Sequence, residues 1–118
     1  MNQASKTVYY FSFYLFLTGL TLIFAPNLLL GILGFEPTTE IWIKVIGVLA
    51  LVIGTYYYRM APSNNDLFNW SSVYIRMGVT VCFALFVLIG WAKLPLIGFG
   101  AVDLLGALWT WNALKKQK

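Results

Sequence analysis

The chain predicts an all-α integral membrane protein: one four-helix transmembrane bundle over 1–118, with a short interfacial helix between the first and second spans. Three observations carry this expectation. The 118 residues are 60% hydrophobic and 10% charged, with a mean hydropathy of +0.78, whereas soluble domains carry about 25% charged residues. Four apolar runs approach the roughly 20 helical residues that cross a bilayer core of about 30 Å. Polar and proline-containing breaks separate them.

The first run covers 8–24. Lys6 and the apolar stretch give it the outline of a signal peptide, but Ile23-Phe24-Ala25-Pro26 offers no small-x-small cleavage site, so it reads as a retained span. The PNLLLGILGF segment from Pro26 to Phe35 is apolar but about half the length needed to cross. Pro26 suits a first helical turn and Gly34 a C-terminal cap, which predicts a short helix in the interface or a greasy connector. The second span covers 41–58, after Glu36-Pro37-Thr38-Thr39-Glu40. The third covers 70–91, after Pro62-Ser63-Asn64-Asn65-Asp66, and the fourth covers 96–111, after Lys93-Leu94-Pro95. These breaks combine helix-stopping proline with capping Thr, Asn and Asp.

Orientation follows from the cations. With a cytoplasmic N-terminus, Lys6, Arg59, Arg76, Lys115, Lys116 and Lys118 fall inside, against Lys44 and Lys93 outside, so both termini are expected in the cytoplasm of a bacterial inner membrane. A basic edge facing anionic lipid accounts for the pI of 9.3 without nucleic acid as a partner. The absence of His and the single Cys exclude a His-ligated haem, a His/Cys zinc site, a Ser/His/Asp triad and an intramolecular disulfide. No metal or other cofactor is expected. Cys82 reads as an inert packing residue.

Asp103 stands in the middle of the fourth run, where a carboxylate costs about 2.5–3.5 kcal/mol on insertion scales. At 1.5 Å per residue it lies about 12 Å below the outer boundary, with Lys44 about 4–5 Å down and Arg76 about 9 Å above the inner boundary. Lys44 is the preferred compensating cation on depth. Asp103 reads either as a polar clamp between helices or as a proton, ion or ligand counter-charge. Tyr56, Tyr57, Arg59 and Arg76 form a second candidate, a hydrogen-bonding pocket near the inner leaflet for a quinone-like ring or a lipid headgroup. An interfacial aromatic belt explains much of the same pattern. Gly47, Ala50 and Gly54 make a small-residue stripe at i, i+3 and i+7, and Gly106 with Thr110 a similar notch; both predict close helix packing.

Pro26-Asn27-Leu28-Leu29-Leu30, Trp42-Ile43-Lys44-Val45-x-Gly47, Gly54-x-Tyr56-Tyr57, Arg76 and the 103–109 run DLLGALW resemble a group of small bacterial four-helix membrane proteins similar to the DoxX-like set. The resemblance implies a single bundle. It also implies association with quinone or sulfur redox metabolism in some relatives, and chaperoning of channels in animal ones. Fold analogy does not carry either role across, and the lack of a cysteine pair argues against thiol-disulfide chemistry. The leading expectation is a non-catalytic membrane protein that stabilises a partner, itself or another membrane protein, or binds lipid. The alternatives are a quinone-like ligand-binding accessory of redox metabolism and a small-solute or proton transporter using Asp103. A cavity reaching both Asp103 and the Tyr cluster favours a bound ligand, a watered path favours transport, and a tightly filled bundle favours partner stabilisation.

Overall fold

The computed structural model describes residues 1–116, and Lys118 lies outside the described residues. Five α-helices and one 3-10 turn make up the described chain: α1 (Gln3–Phe24), α2 (Pro26–Ile32), α3 (Trp42–Met60), the turn Ala61–Ser63, α4 (Asp66–Leu88) and α5 (Pro95–Lys116). The helices begin where the side chains can satisfy orphan amides. Asn2 Oδ1 accepts from Ser5 N at 2.8 Å and Asn65 Oδ1 from Phe68 N at 3.1 Å, while Pro26 occupies the first turn of α2. The Asn65 cap starts α4 four residues before the expected 70.

Two helices stop on left-handed glycines. Gly34 has φ +83° and Gly90 φ +86°. Phe35 N donates to Leu30 O at 2.8 Å and Trp91 N to Phe86 O at 2.8 Å, the six-to-one bonds of the Schellman motif. Gly90 therefore ends the third long helix at Leu88, short of the expected 91. The short helix α2 is present as expected and spans seven residues.

Three helices, Gln3–Phe24, Trp42–Ser63 and Asp66–Leu88, are long and apolar enough to cross a membrane. The expectation of four is met only in length by α5, whose 22 residues include Asp103, Asn112, Lys115 and Lys116 and so dilute its hydropathy.

The arrangement is more open than a closed bundle. α1 packs on α3, α5 packs on α4, and α1 joins the two pairs through α5. Among the described residues α3 and α4 meet at the Tyr57 end, where the Tyr57 ring lies 5.5 Å from that of Phe68 and 5.7 Å from the Arg76 guanidinium, and share no extended interface along the rest of their length. The order across the molecule is α3, α1, α5, α4, and its extents of 45 × 29 × 16 Å reflect that flattened row. Near the termini the helices converge on two apolar clusters, one containing Val73, Ala107 and Leu114 and the other Val8, Phe11, Tyr57 and Ala61. At the far end α2 packs between α1 and α3 through Leu22, Leu30 and Ile43.

Glycine sets the α1–α3 distance. A Cβ on Gly19 would lie 2.7 Å from Gly47 O, and one on Gly47 2.8 Å from Gly19 O. Gly54 meets Phe16 and Leu15 at 3.0–3.1 Å. Gly47 and Gly54 thus stand where α3 approaches α1, with Gly19 supplying the other half of the contact at Gly47. Ala50 lines the space between α3 and α4. Cys82 is exposed rather than packed inside.

Candidate functional site

A cleft of about 540 Å³ occupies the space that α3 and α4 leave unfilled. α1 and α5 form its floor, α3 and α4 its walls, and Leu29, Leu30 and Leu33 close one end. Its lining is almost wholly apolar. Along α3 it reaches from Trp42 to Tyr57, fifteen residues or about 22 Å at helical rise. The polar groups lie among Arg76, Asp103, Tyr57, Tyr14 and Thr18.

Arg76 is 3% exposed and is held by its neighbours in a fixed attitude. Its Nε donates to Ser72 O at 3.2 Å, and its Nη2 donates to Ser72 Oγ at 3.1 Å and to Thr110 Oγ1 at 2.8 Å. Ser72 precedes Arg76 by one helical turn, so α4 folds its own serine against the guanidinium. Thr110 brings the bond across from α5 and shares a 2.6 Å hydrogen bond with Thr7 of α1. Three helices are thereby tied at one level. The guanidinium also lies 4.7 Å from the Phe11 ring centroid and 5.7 Å from that of Tyr57, within cation–π range.

Gly106 makes that attitude possible. A Cβ there would stand 2.8 Å from the Phe11 ring and 3.1 Å from Arg76 Nη1. The notch expected at Gly106 and Thr110 therefore houses a side-chain cation as well as a neighbouring helix.

Two polar atoms at this end are buried without a hydrogen-bond partner among the described residues: Arg76 Nη1 and the Tyr14 hydroxyl. Asp103, 9% exposed, lines the same cleft. Among the described residues Arg76 is the cation that acts on its charge, and the same charge acts on the Tyr14 hydroxyl. The preference for Lys44 is overturned. Lys44 Nζ donates to Ile23 O at 2.5 Å, one of the last carbonyls of α1, where a cation meets both an orphan acceptor and the negative end of a helix. That partner lies beside Lys44, whereas Asp103 lies on a helix separated from α3 by α1.

The second candidate divides. Tyr57 and Arg76 enter the cleft, but Tyr56 and Arg59 are exposed outside it. Residues 56–59 climb the helix at 100° per step, so they cannot all face one side. The aromatic residues outside the cleft stack between helices instead, with Tyr9 on Tyr58 at 5.2 Å and Tyr10 on Trp109 at 6.1 Å. Sequence reasoning missed Tyr14, Ser72 and Thr7. Ser72 one turn before Arg76, and the Asp103, Gly106, Thr110 stripe at i, i+3 and i+7, are the signals that point to the Arg76 cluster. Comparison with protein-family models, curated proteins and solved structures returns no match.

Proposed function

We propose that this chain is a four-span integral membrane protein that binds a lipid-soluble molecule in the cleft between α3 and α4 and performs no chemistry on it. The single observation that carries the reading is the cleft itself, a long apolar space with Arg76, Asp103, Tyr14 and Tyr57 gathered at one end. Ligand sites have this character: a largely apolar concavity of about 300–1,000 Å³ with a few convergent polar groups. A tightly filled helical row would have favoured a purely partner-stabilising protein. The cleft reaches both Asp103 and Tyr57, which supports the ligand-binding alternatives over that one, a quinone-like molecule included.

In this reading α5 is the fourth span, its carboxylate turned inward and balanced by Arg76, because lipid exposure would leave the charge unrelieved. α2 lies at the opposite interface and plugs the cleft. The termini share an end with Asn64, whose Oδ1 accepts from Asn2 N at 2.7 Å; Lys6, Arg59, Lys115 and Lys116 mark that end as cytoplasmic. The likeness to small DoxX-like proteins agrees with this layout and rests on the residues quoted for it.

Ala50→Phe tests the reading, since Ala50 lines the cleft and a phenyl ring there fills it. The parent is expected to retain lipid-soluble molecules after gentle detergent purification, identified by mass spectrometry of the extract. Ala50→Phe is expected to lose them while keeping its melting temperature. Equal retention by the two proteins refutes the cleft as the binding site.

A further inference from the structure

The groups at the polar end of the cleft restrict what kind of head it can accept. Arg76 has its other donors committed: Nε to Ser72 O, and Nη2 to Ser72 Oγ and Thr110 Oγ1. Nη1 alone remains unpartnered, in a side chain 3% exposed. One nitrogen, with its two N–H groups, is not the two-nitrogen fork that a phosphate or carboxylate recruits from arginine. The Tyr14 hydroxyl, also buried and unpartnered, both donates and accepts. Asp103 supplies acceptors and a charge opposite to that of Arg76.

The site therefore holds one cation and one carboxylate, with formal charges that cancel. An anionic head would meet the carboxylate of Asp103, and an ammonium head would meet the guanidinium. A hydrocarbon would leave Nη1 and the tyrosine hydroxyl unserved, and an ester carbonyl accepts without donating. A hydroxyl satisfies all three: its two lone pairs accept from Arg76 Nη1 and Tyr14, and its O–H donates a hydrogen bond to Asp103. The remainder of the cleft is long and apolar. It runs about 22 Å along α3, the length of one extended chain.

We propose that the cleft binds a single-chain lipid alcohol, with its uncharged hydroxyl between Arg76 Nη1, Tyr14 and Asp103 and its tail running past Ile53, Ile46 and Ile43 toward Trp42. This rests on the reading that the cleft binds a lipid-soluble molecule, and it specifies the head and its direction. Straight-chain and isoprenoid alcohols share this chemistry.

The far position of Trp42 provides the assay. A long alcohol brominated at the tail end, 16-bromohexadecan-1-ol, places its quencher near Trp42 only when its hydroxyl is at Arg76. Saturable quenching of the full chain in detergent micelles is expected, and the quenched component is expected to disappear in Trp42→Phe. Hexadecan-1-ol should displace the probe at least about tenfold better than hexadecane, palmitate or hexadecylamine at pH 7, the factor that corresponds to one net hydrogen bond. Asp103→Asn should improve palmitate competition by about tenfold as the like charge is removed, and Tyr14→Phe should weaken the alcohol alone. Geranylgeraniol against hexadecan-1-ol separates the two tail classes, and a preference for either supports the hydroxyl site. Saturable quenching with the alcohol no better than hexadecane overturns this proposal and leaves the cleft a lipid site. Palmitate binding more tightly than the alcohol overturns it in favour of an anion site. No saturable quenching by any probe overturns both readings.

Discussion

Arg76 and Asp103 should be energetically coupled, and Lys44 and Asp103 should not. Arg76→Met removes the cation that, among the described residues, acts on the Asp103 charge, together with three hydrogen bonds to Ser72 and Thr110. Only the Thr110 bond crosses between helices, and such bonds average about 0.6 kcal/mol in a membrane protein. The larger loss is electrostatic. Opposite charges about 4 Å apart at an effective dielectric of about 20 interact by about 4 kcal/mol, and a wider pair by about 2–3 kcal/mol, close to the cost of about 2.5–3.5 kcal/mol for a lone intramembrane carboxylate. Arg76→Met alone should therefore destabilise by about 3–4 kcal/mol. Asp103→Asn alone leaves the guanidinium unbalanced and should cost about 2–3 kcal/mol. The double variant should be less destabilised than the two losses added, by a coupling of about 2–3 kcal/mol. Reversible denaturation of the purified protein in mixed micelles at pH 7 measures all four corners of the cycle. Additive losses at 76 and 103, or an equally large coupling between 44 and 103, would refute the assignment of Arg76 as the counter-charge.

The remaining predictions concern packing, capping and topology. Gly19→Val forces a side chain into Gly47 O, a backbone atom that cannot swing away, and should cost at least about 1–3 kcal/mol; Gly54→Leu meets Phe16 and Leu15 and should also lower the melting temperature in detergent. A parent-like melting temperature for both would mean that α1 and α3 do not approach as described. Lys44→Met removes the cation from the C-terminal end of α1 and should cost about 0.3–2 kcal/mol, with the loss unchanged in an Asp103→Asn background. For topology, single cysteines at 3, 38 and 64 in a Cys82→Ala background should be labelled from outside only at 38. External labelling at 64 would sink the orientation.

The sequence by itself determined the solvent, the helices and their punctuation. A chain with 60% hydrophobic residues and twelve charges cannot coat itself for water, and Pro26, Asn65, Gly34 and Pro95 act on the backbone locally, so the segments they bound could be read in order. Gly90 belongs to the same class, a C-cap glycine that ends α4 at Leu88. Composition also singled out Asp103, because its cost depends on depth along one helix. Which cation answers it depends on which helices are neighbours, and no local property of the chain encodes that. Depth ranked Lys44 first, but α1 stands between α3 and α5, so Lys44 turns to Ile23 and Arg76 faces the carboxylate. The cleft likewise exists only in the tertiary structure: Gly19 and Gly47 draw α3 onto α1, the bonds from Arg76 to Thr110 and from Thr80 to Gly100 hold α4 on α5, and beyond the Tyr57–Phe68 contact the two walls are left apart because each outer helix spends its close contacts on an inner one.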